Sequence, residues 1–239
     1  MAPATVEASG ATVPLDDPQI DYDSKESLQR GAQAFVNYCM GCHNAEYARY
    51  NRVAKDIGLS EEEMVENLVF TSDEAGEPTK VGSLMSIAMD KEYSEQAFGV
   101  APPNLALTAR SRGADWIYTY LRSYYDDPSR AATGVNNLVY AGTAMPNVLW
   151  SLQGTQVPIY KEHDGEKHII GLKSLGDGEL SEQEFDRLAG DITNFLVYLA
   201  DPVRSTRHRI GYWVLSFLLG LFVLSYFLKK EYWKDVVWD

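Results

Sequence analysis

Cys39-Met40-Gly41-Cys42-His43 constrains this chain more than any other stretch. The C-x-x-C-H spacing sets two sulfurs along one edge of a flat macrocycle and turns the next imidazole under its centre. That is the attachment pattern of a c-type haem, with two thioether bonds and the histidine as proximal iron ligand. Both cysteines of the chain lie in the motif. A disulfide across so tight a loop is strained. A thioredoxin-type pair has no use for His43 and wants a βαβ context. A zinc site would have to recruit His163 or His168, at spacings unlike those zinc usually takes. One covalent haem c is therefore the expected cofactor, held by Cys39, Cys42 and His43.

The second constraint is Ile210 to Leu228, which carries no charge. About nineteen residues at the helical rise cover roughly 28 Å, close to the hydrocarbon thickness of a bilayer. Tyr212, Trp213, Tyr226 and Trp233 sit near its ends, where interfacial aromatics belong. Flanking charge does not orient it: Arg204, Arg207 and Arg209 precede it, and Lys229, Lys230 and Lys234 follow. The haem orients it instead, because haem c is attached outside the cytoplasmic membrane. The expected organisation is a periplasmic domain over residues 1–205, a membrane helix over 206–230 and a cytoplasmic tail over 231–239. The acidic, proline-containing N-terminus has neither a basic segment nor an apolar run and is no signal peptide as it stands. A cleaved leader ahead of it, or numbering from the mature end, is expected.

At 239 residues the chain can bury a sizeable core. Its net charge of -13 argues against nucleic acid and anionic membrane surfaces, and suits either a basic protein partner or plain solubility.

Between the two landmarks the periodicities are mainly helical. Residues 1–23 suggest an extended arm. Leu28, Ala32, Phe35 and Val36 repeat at helical spacing and predict a helix from Lys25 to Tyr38 that leads into the motif. Ser60 and Glu63 form a capping box, with Met64, Val65, Leu68 and Val69 facing inward and the glutamates of that segment outward as a solvated face. Met85 and Met89, four apart, predict one face of a helix. Asp115 to Tyr125 predicts a helix capped by Asp115, with Trp116, Ile117, Tyr120, Leu121 and Tyr124 inward, stopped by Asp126-Asp127-Pro128. Val157 to Leu172 alternates around Asp164-Gly165, a type I′ turn pair, and predicts an inserted β-hairpin with His163 and His168 beside its turn. Ser181 and Glu184 form a second capping box ahead of an apolar face made by Phe185, Leu188, Ile192, Phe195, Leu196 and Leu199; Asp201-Pro202 ends it.

Three further features become chemical once haem is expected. Gly142-Thr143-Ala144-Met145-Pro146-Asn147 is a loop that holds a thioether beside a proline. A soft sulfur ligand stabilises reduced iron, and the Met-Pro loop context makes Met145 preferred over Met85 and Met89 as the distal ligand. Pro102-Pro103 is a stiff stretch that suits a flat haem face and equally a plain loop. Arg110 and Arg112 follow, either of them able to pair with a haem propionate or simply to face solvent.

The order of these features resembles cytochrome c1, the haem c subunit of the cytochrome bc1 complex: a helix into C-x-x-C-H, Ala-Pro-Pro-Asn-Leu, Arg before Gly-x-Asp-Trp, Ala-Met-Pro, then a long amphipathic helix running into one C-terminal span. The resemblance covers Arg30 to Tyr232. It implies a mainly α fold: a c-type cytochrome domain with loop and β-hairpin insertions, plus one C-terminal transmembrane helix. It implies that Cys39 and Cys42 bind the haem, that His43 and Met145 are the axial ligands, that Pro102 and Pro103 pack beside the ring, and that Arg110 rather than Arg112 pairs with a propionate. Trp116 stands where the family usually has Tyr. The compact form, without a further cysteine pair, is similar to bacterial members.

The implied role is electron transfer within the bc1 complex, a quinol:cytochrome c oxidoreductase, without contact with quinol and without independent catalysis. The implied partners are cytochrome b, the Rieske iron-sulfur protein and a periplasmic c-type cytochrome acceptor, in a dimeric complex of the bacterial inner membrane. The alternative is a free-standing, membrane-anchored cytochrome c that shuttles electrons.

Overall fold

The computed structural model describes residues 5–8, 11–72, 76–163 and 166–236. The chain divides into two compact units, with the break between Pro202 and Val203.

In the first unit a strand pair, β1 (Thr5–Ala8) and β2 (Ala11–Pro14), replaces part of the expected extended arm. Helix α1 (Lys25–Ala34) starts at Ser24, whose side chain accepts from the Ser27 amide. It continues as a single π-helical turn, Phe35–Cys39. Strand β3 (Ala45–Arg49) leads into α2 (Tyr50–Ile57), which buries Tyr50, Val53, Ala54 and Ile57. Helix α3 (Glu61–Leu68) carries the expected Ser60/Glu63 capping box. Met64 and Leu68 are buried, whereas Val65 faces solvent.

Residues 84–90 depart from expectation. Met85 lies in strand β4 (Leu84–Met85), antiparallel to β3 with Ala45 opposite Met85. Met89 lies in the loop after it. Four-residue spacing alone does not make a helix: the stretch lies between the Lys80–Ser83 turn and the Asp90 cap, and its backbone pairs across to β3 instead. Helix α4 (Lys91–Phe98) follows that cap.

A 3₁₀ turn at Leu105–Leu107 precedes α5 (Thr108–Arg112) and α6 (Ala114–Arg122). Helix α6 is shorter than its periodicity suggests. Gly113, not Asp115, is its N-terminal cap. The Asp115 carboxylate accepts the Trp116 amide instead. At the other end, side-chain amides from distant segments take the last carbonyls. Asn137 Nδ2 donates to the Tyr120 oxygen, and Gln153 and Gln156 both donate to that of Arg122, each at 2.8 Å. The chain then enters β5 (Tyr124–Asp126), paired with β6 (Val135–Asn137), so Tyr124 is a strand residue.

After the short α7 (Trp150–Gln153) come β7 (Gln156–His163) and β8 (Glu166–Ser174), the expected inserted hairpin. Its turn, Asp164-Gly165, lies outside the described residues. Helix α8 (Glu182–Ala200) begins at the expected Ser181/Glu184 box.

Helices α1 and α8 form the spine of the core. Phe35 and Phe195 meet with ring centroids 5.5 Å apart. Gly31 makes the crossing possible, since a Cβ there would sit 2.1 Å from the Asp191 carbonyl oxygen. A polar cluster pins the same crossing. Arg30 grips the buried Asp191 carboxylate at 2.6 and 2.9 Å, and the Ser27 hydroxyl donates to it at 2.6 Å. The unit is mainly helical, with four two-stranded sheets among the described residues.

The second unit is α9 (Arg204–Tyr232), whose best window has a mean hydropathy of 1.9 and no buried residue. It contains the expected apolar span. A helix apolar around its whole circumference needs an apolar solvent, and its length suits a bilayer.

Candidate haem site

The motif is delivered by the π-turn. The Met40 amide reaches back to the Phe35 carbonyl at 2.9 Å, and the amides of Cys42 and His43 both return to the Cys39 carbonyl at 3.1 and 2.9 Å. Single π-turns in helices recur at functional sites. Here the turn and the tight loop after it bring the Cys39 and Cys42 side chains together around one short stretch. Both cysteines are free thiols, Cys39 buried and Cys42 partly exposed. Burial, with Cys42 as a smaller contribution, pushes the Cys39 thiol up to about 12. Such a thiol stays protonated near neutrality.

His43 is almost fully buried, and its Nδ1 lies 2.8 Å from the Pro103 carbonyl oxygen. A carbonyl only accepts, so Nδ1 carries the proton and the free lone pair is on Nε2. Burial holds the imidazole below its ordinary pKa, outweighing the opposite pull of the Pro103 carbonyl, so the ring is neutral. A neutral ring with one nitrogen committed to a backbone carbonyl is the arrangement of a metal-ligating histidine. Two free thiols and an oriented imidazole fit a covalent haem. Among the described residues, no group of three His, Cys, Asp or Glu side chains gathers as a metal ion site.

The paired prolines do something the sequence did not suggest. Pro103 is exposed and Pro102 half-buried. The atom that matters for His43 is the Pro103 carbonyl. Neighbouring bonds fasten this segment to the motif: the Leu105 amide donates to the Asn44 carbonyl at 2.8 Å, and the Ile87 amide to Asn44 Oδ1 at 2.7 Å. Arg110 lies in the last turn of α5, exposed and with no side-chain hydrogen bond or ion pair among the described residues. Arg112 is engaged instead, its guanidinium 5.0 Å from the Trp116 ring centre.

Met145 lies in a loop, half-buried against the core. Its backbone is held on both sides. Its amide donates to Thr143 Oγ1 at 3.3 Å, and its carbonyl accepts from the Tyr124 hydroxyl at 3.2 Å. The Tyr120 hydroxyl sits between them, 2.6 Å from that of Tyr124 and 2.9 Å from that of Thr143. Burial raises the pKa of both tyrosines, so both are phenols and never phenolates near neutrality. From outside, Arg130 donates to the carbonyls of Gly142 and Thr143 at 2.9 Å each. Tyr120, Tyr124, Thr143 and Arg130 carry no joint signal in the sequence, where the i, i+4 spacing of the two tyrosines is that of ordinary helix packing.

The other sulfurs are placed differently. Met85 is fully buried in β4, Met89 is half-buried in its loop, and Met40 accepts from the Tyr50 hydroxyl. His168 is exposed on β8, as expected, while the side chain of His163 lies outside the described residues.

Residues 14–236 match the model of the Cytochrome C1 family. The chain is 46% identical to a cytochrome c1 of Allochromatium vinosum, an alignment covering 99% of this chain and 95% of that one. It is 44% identical to a Nitrosomonas europaea protein named ammonia monooxygenase gamma subunit, over 99% of this chain and 94% of that one. It is 26% identical to the mitochondrial cytochrome c1 haem protein of Saccharomyces cerevisiae, over 88% of this chain and 67% of that one.

Proposed function

Because the chain belongs to the cytochrome c1 family, whose members are the haem-bearing subunit of the bc1 complex in electron transfer, we propose that Cys39 and Cys42 hold one haem c covalently and that His43 and Met145 are its axial ligands. The observation that carries this reading is the His43–Pro103 bond, which commits Nδ1 and leaves Nε2 to face a metal. Bound haem supplies a one-electron carrier. The residues do the rest. His43 is held neutral and oriented, so no proton has to leave it before it can bind iron. Met145 supplies a neutral soft donor that favours the reduced state. Pro102 and Pro103 wall the site, and Arg110, with no side-chain partner among the described residues, answers the negative charge of a propionate.

The wider role follows from the family. Electrons come from the Rieske iron-sulfur protein and leave to a periplasmic c-type cytochrome, in a dimeric complex built on cytochrome b. The first 205 residues form the periplasmic haem domain, 206–230 the membrane helix of a single-pass inner-membrane protein, and 231–239 a cytoplasmic tail. The chain contributes a potential and a docking position to the quinol:cytochrome c reductase, and no catalysis of its own. The acidic surface suits steering of a basic acceptor.

The test is an optical spectrum of the reduced membrane-bound protein, wild type beside Met145→Leu. The expected wild type is low-spin and indifferent to carbon monoxide, and the expected variant binds carbon monoxide and has a markedly lower potential. An unchanged spectrum in the variant removes Met145 from the ligand set.

A further inference from the structure

We propose that Tyr120, Tyr124 and Thr143 are positioning residues that hold the Met145 backbone in one directed ring of hydrogen bonds, and so keep its thioether in reach of the iron. The proposal rests on the reading of Met145 as axial ligand. Three observations carry it.

The first is proton direction. The Met145 amide can only donate and its carbonyl can only accept, and both ends touch hydroxyls of the same group. Thr143 Oγ1 accepts from the Met145 amide, so its own proton is free for the Tyr120 oxygen at 2.9 Å. Tyr124 spends its proton on the Met145 carbonyl, so it accepts from Tyr120 at 2.6 Å. The path runs from the Met145 amide through Thr143, Tyr120 and Tyr124 back to the Met145 carbonyl. Every hydroxyl donates once and accepts once along it. Bonds aligned in this way polarise one another.

The second is burial. Thr143 and Tyr124 are each 2% exposed and Tyr120 is 9% exposed. A buried hydroxyl that loses its partner pays its full desolvation cost, so opening the ring anywhere is felt throughout it.

The third is mechanical. Tyr120 leaves the end of α6 and is stacked on Trp116, with ring centres 5.0 Å apart and planes 9° apart. Its hydroxyl therefore has little freedom to follow a moving loop. Pro146 restricts Met145 on the other side. The ring thus ties an irregular loop to a helix and a strand. Tyr120 touches no atom of Met145 directly in this path, which makes it the discriminating residue.

The experiment uses the haem-loaded, membrane-bound protein and measures the rate of carbon monoxide binding to the reduced form, which reports how often Met145 leaves the iron. Tyr120→Phe, Tyr124→Phe and Thr143→Val should each speed binding roughly tenfold, the equivalent of one lost buried hydrogen bond. Thr143→Ser keeps the hydroxyl and should bind at the wild-type rate. Tyr198→Phe removes a half-buried phenol that donates to Asp56 elsewhere; it should also bind at the wild-type rate. The double variant Tyr120→Phe/Tyr124→Phe should bind no faster than the faster single, since the ring is already open. Wild-type rates in all three hydroxyl variants, with haem retained and Met145→Leu reactive, overturn the ring and leave the axial ligand standing. An unreactive Met145→Leu overturns both. Should the variants lose haem, amide exchange at Met145 in the unsubstituted protein decides: strong protection supports the ring, and exchange at the rate of an open loop overturns it.

Discussion

His43 and Met145 are held in opposite ways. His43 closes a motif five residues long, and one carbonyl sixty positions away fixes its tautomer. Its backbone returns to Cys39 within the same turn. Met145 sits in a loop with no regular structure and is fixed by side chains from α6, β5 and its own loop. The first of these proposed ligands is placed by local covalent spacing and the second by tertiary assembly. The lesson is that the two should fail separately. Damage beneath the motif should cost stability and haem loading without freeing Met145. Damage beneath the loop should free Met145 while the haem stays attached.

The largest effect that sharpens this contrast is expected at Gly31, under the motif. A methyl group there would meet the Asp191 carbonyl oxygen at 2.1 Å and Phe195 Cβ at 2.8 Å. Both are firm neighbours, so α1 has to move off α8. Gly31→Ala should destabilise the protein by about 3 kcal/mol and lower haem content in membranes. Protein that does retain haem should ignore carbon monoxide, as is expected of the wild type. Reactivity in that fraction would mean that the two sides are coupled through the core.

Asn137→Ala tests the other side with a smaller effect. Asn137 is 1% exposed and donates to the Tyr120 carbonyl, while its oxygen accepts from the amides of Val139 and Tyr140 and the hydroxyl of Ser123. Its removal should cost about 2 kcal/mol of stability, read as a lower denaturation midpoint. Because it seats the residue at the middle of the hydroxyl ring, carbon monoxide binding should also accelerate. A lost midpoint with no acceleration would show that α6 can shift without the loop following.

The same contrast explains what could be read from the sequence. The motif, the two capping boxes, the apolar face of α8 and the apolar span within α9 were all legible. Each is written in residues a few positions apart, at spacings set by the helix or by a macrocycle. The Met145 loop was legible as a loop because of Pro146. The residues that hold it were not, because Tyr120 and Tyr124 at i, i+4 read as one helical face. What breaks that helix after Arg122 is a set of amides from Asn137, Gln153 and Gln156, far along the chain. Met85 and Met89 misled for the same reason, since pairing with β3 is a partner no window of residues 84–90 contains. Val65 sat at the right spacing on a helix whose buried strip is narrower than the pattern allowed.

The smallest effect expected is a pH dependence confined to the Met145 side. Asp127 is held below the ordinary carboxylate range, chiefly by the Ser129 hydroxyl and then by Asn136 Nδ2. Asn136 in turn accepts the Gly142 amide at 2.8 Å, two residues before the alanine that precedes Met145. A carboxylate whose folded pKa is depressed contributes stability that is fully present above its unfolded value near 4 and is lost as pH falls through its folded value. Asp127→Asn removes the titrating charge, so the variant should lose less stability than the wild type on acidification below pH 4, with equal haem attachment. The melting temperature of the holoprotein followed from about pH 6 down to about pH 3 measures this. Parallel curves for the two proteins would mean that Asp127 is as comfortable in the unfolded chain as in the fold, and that the acid limb of this protein belongs to other carboxylates.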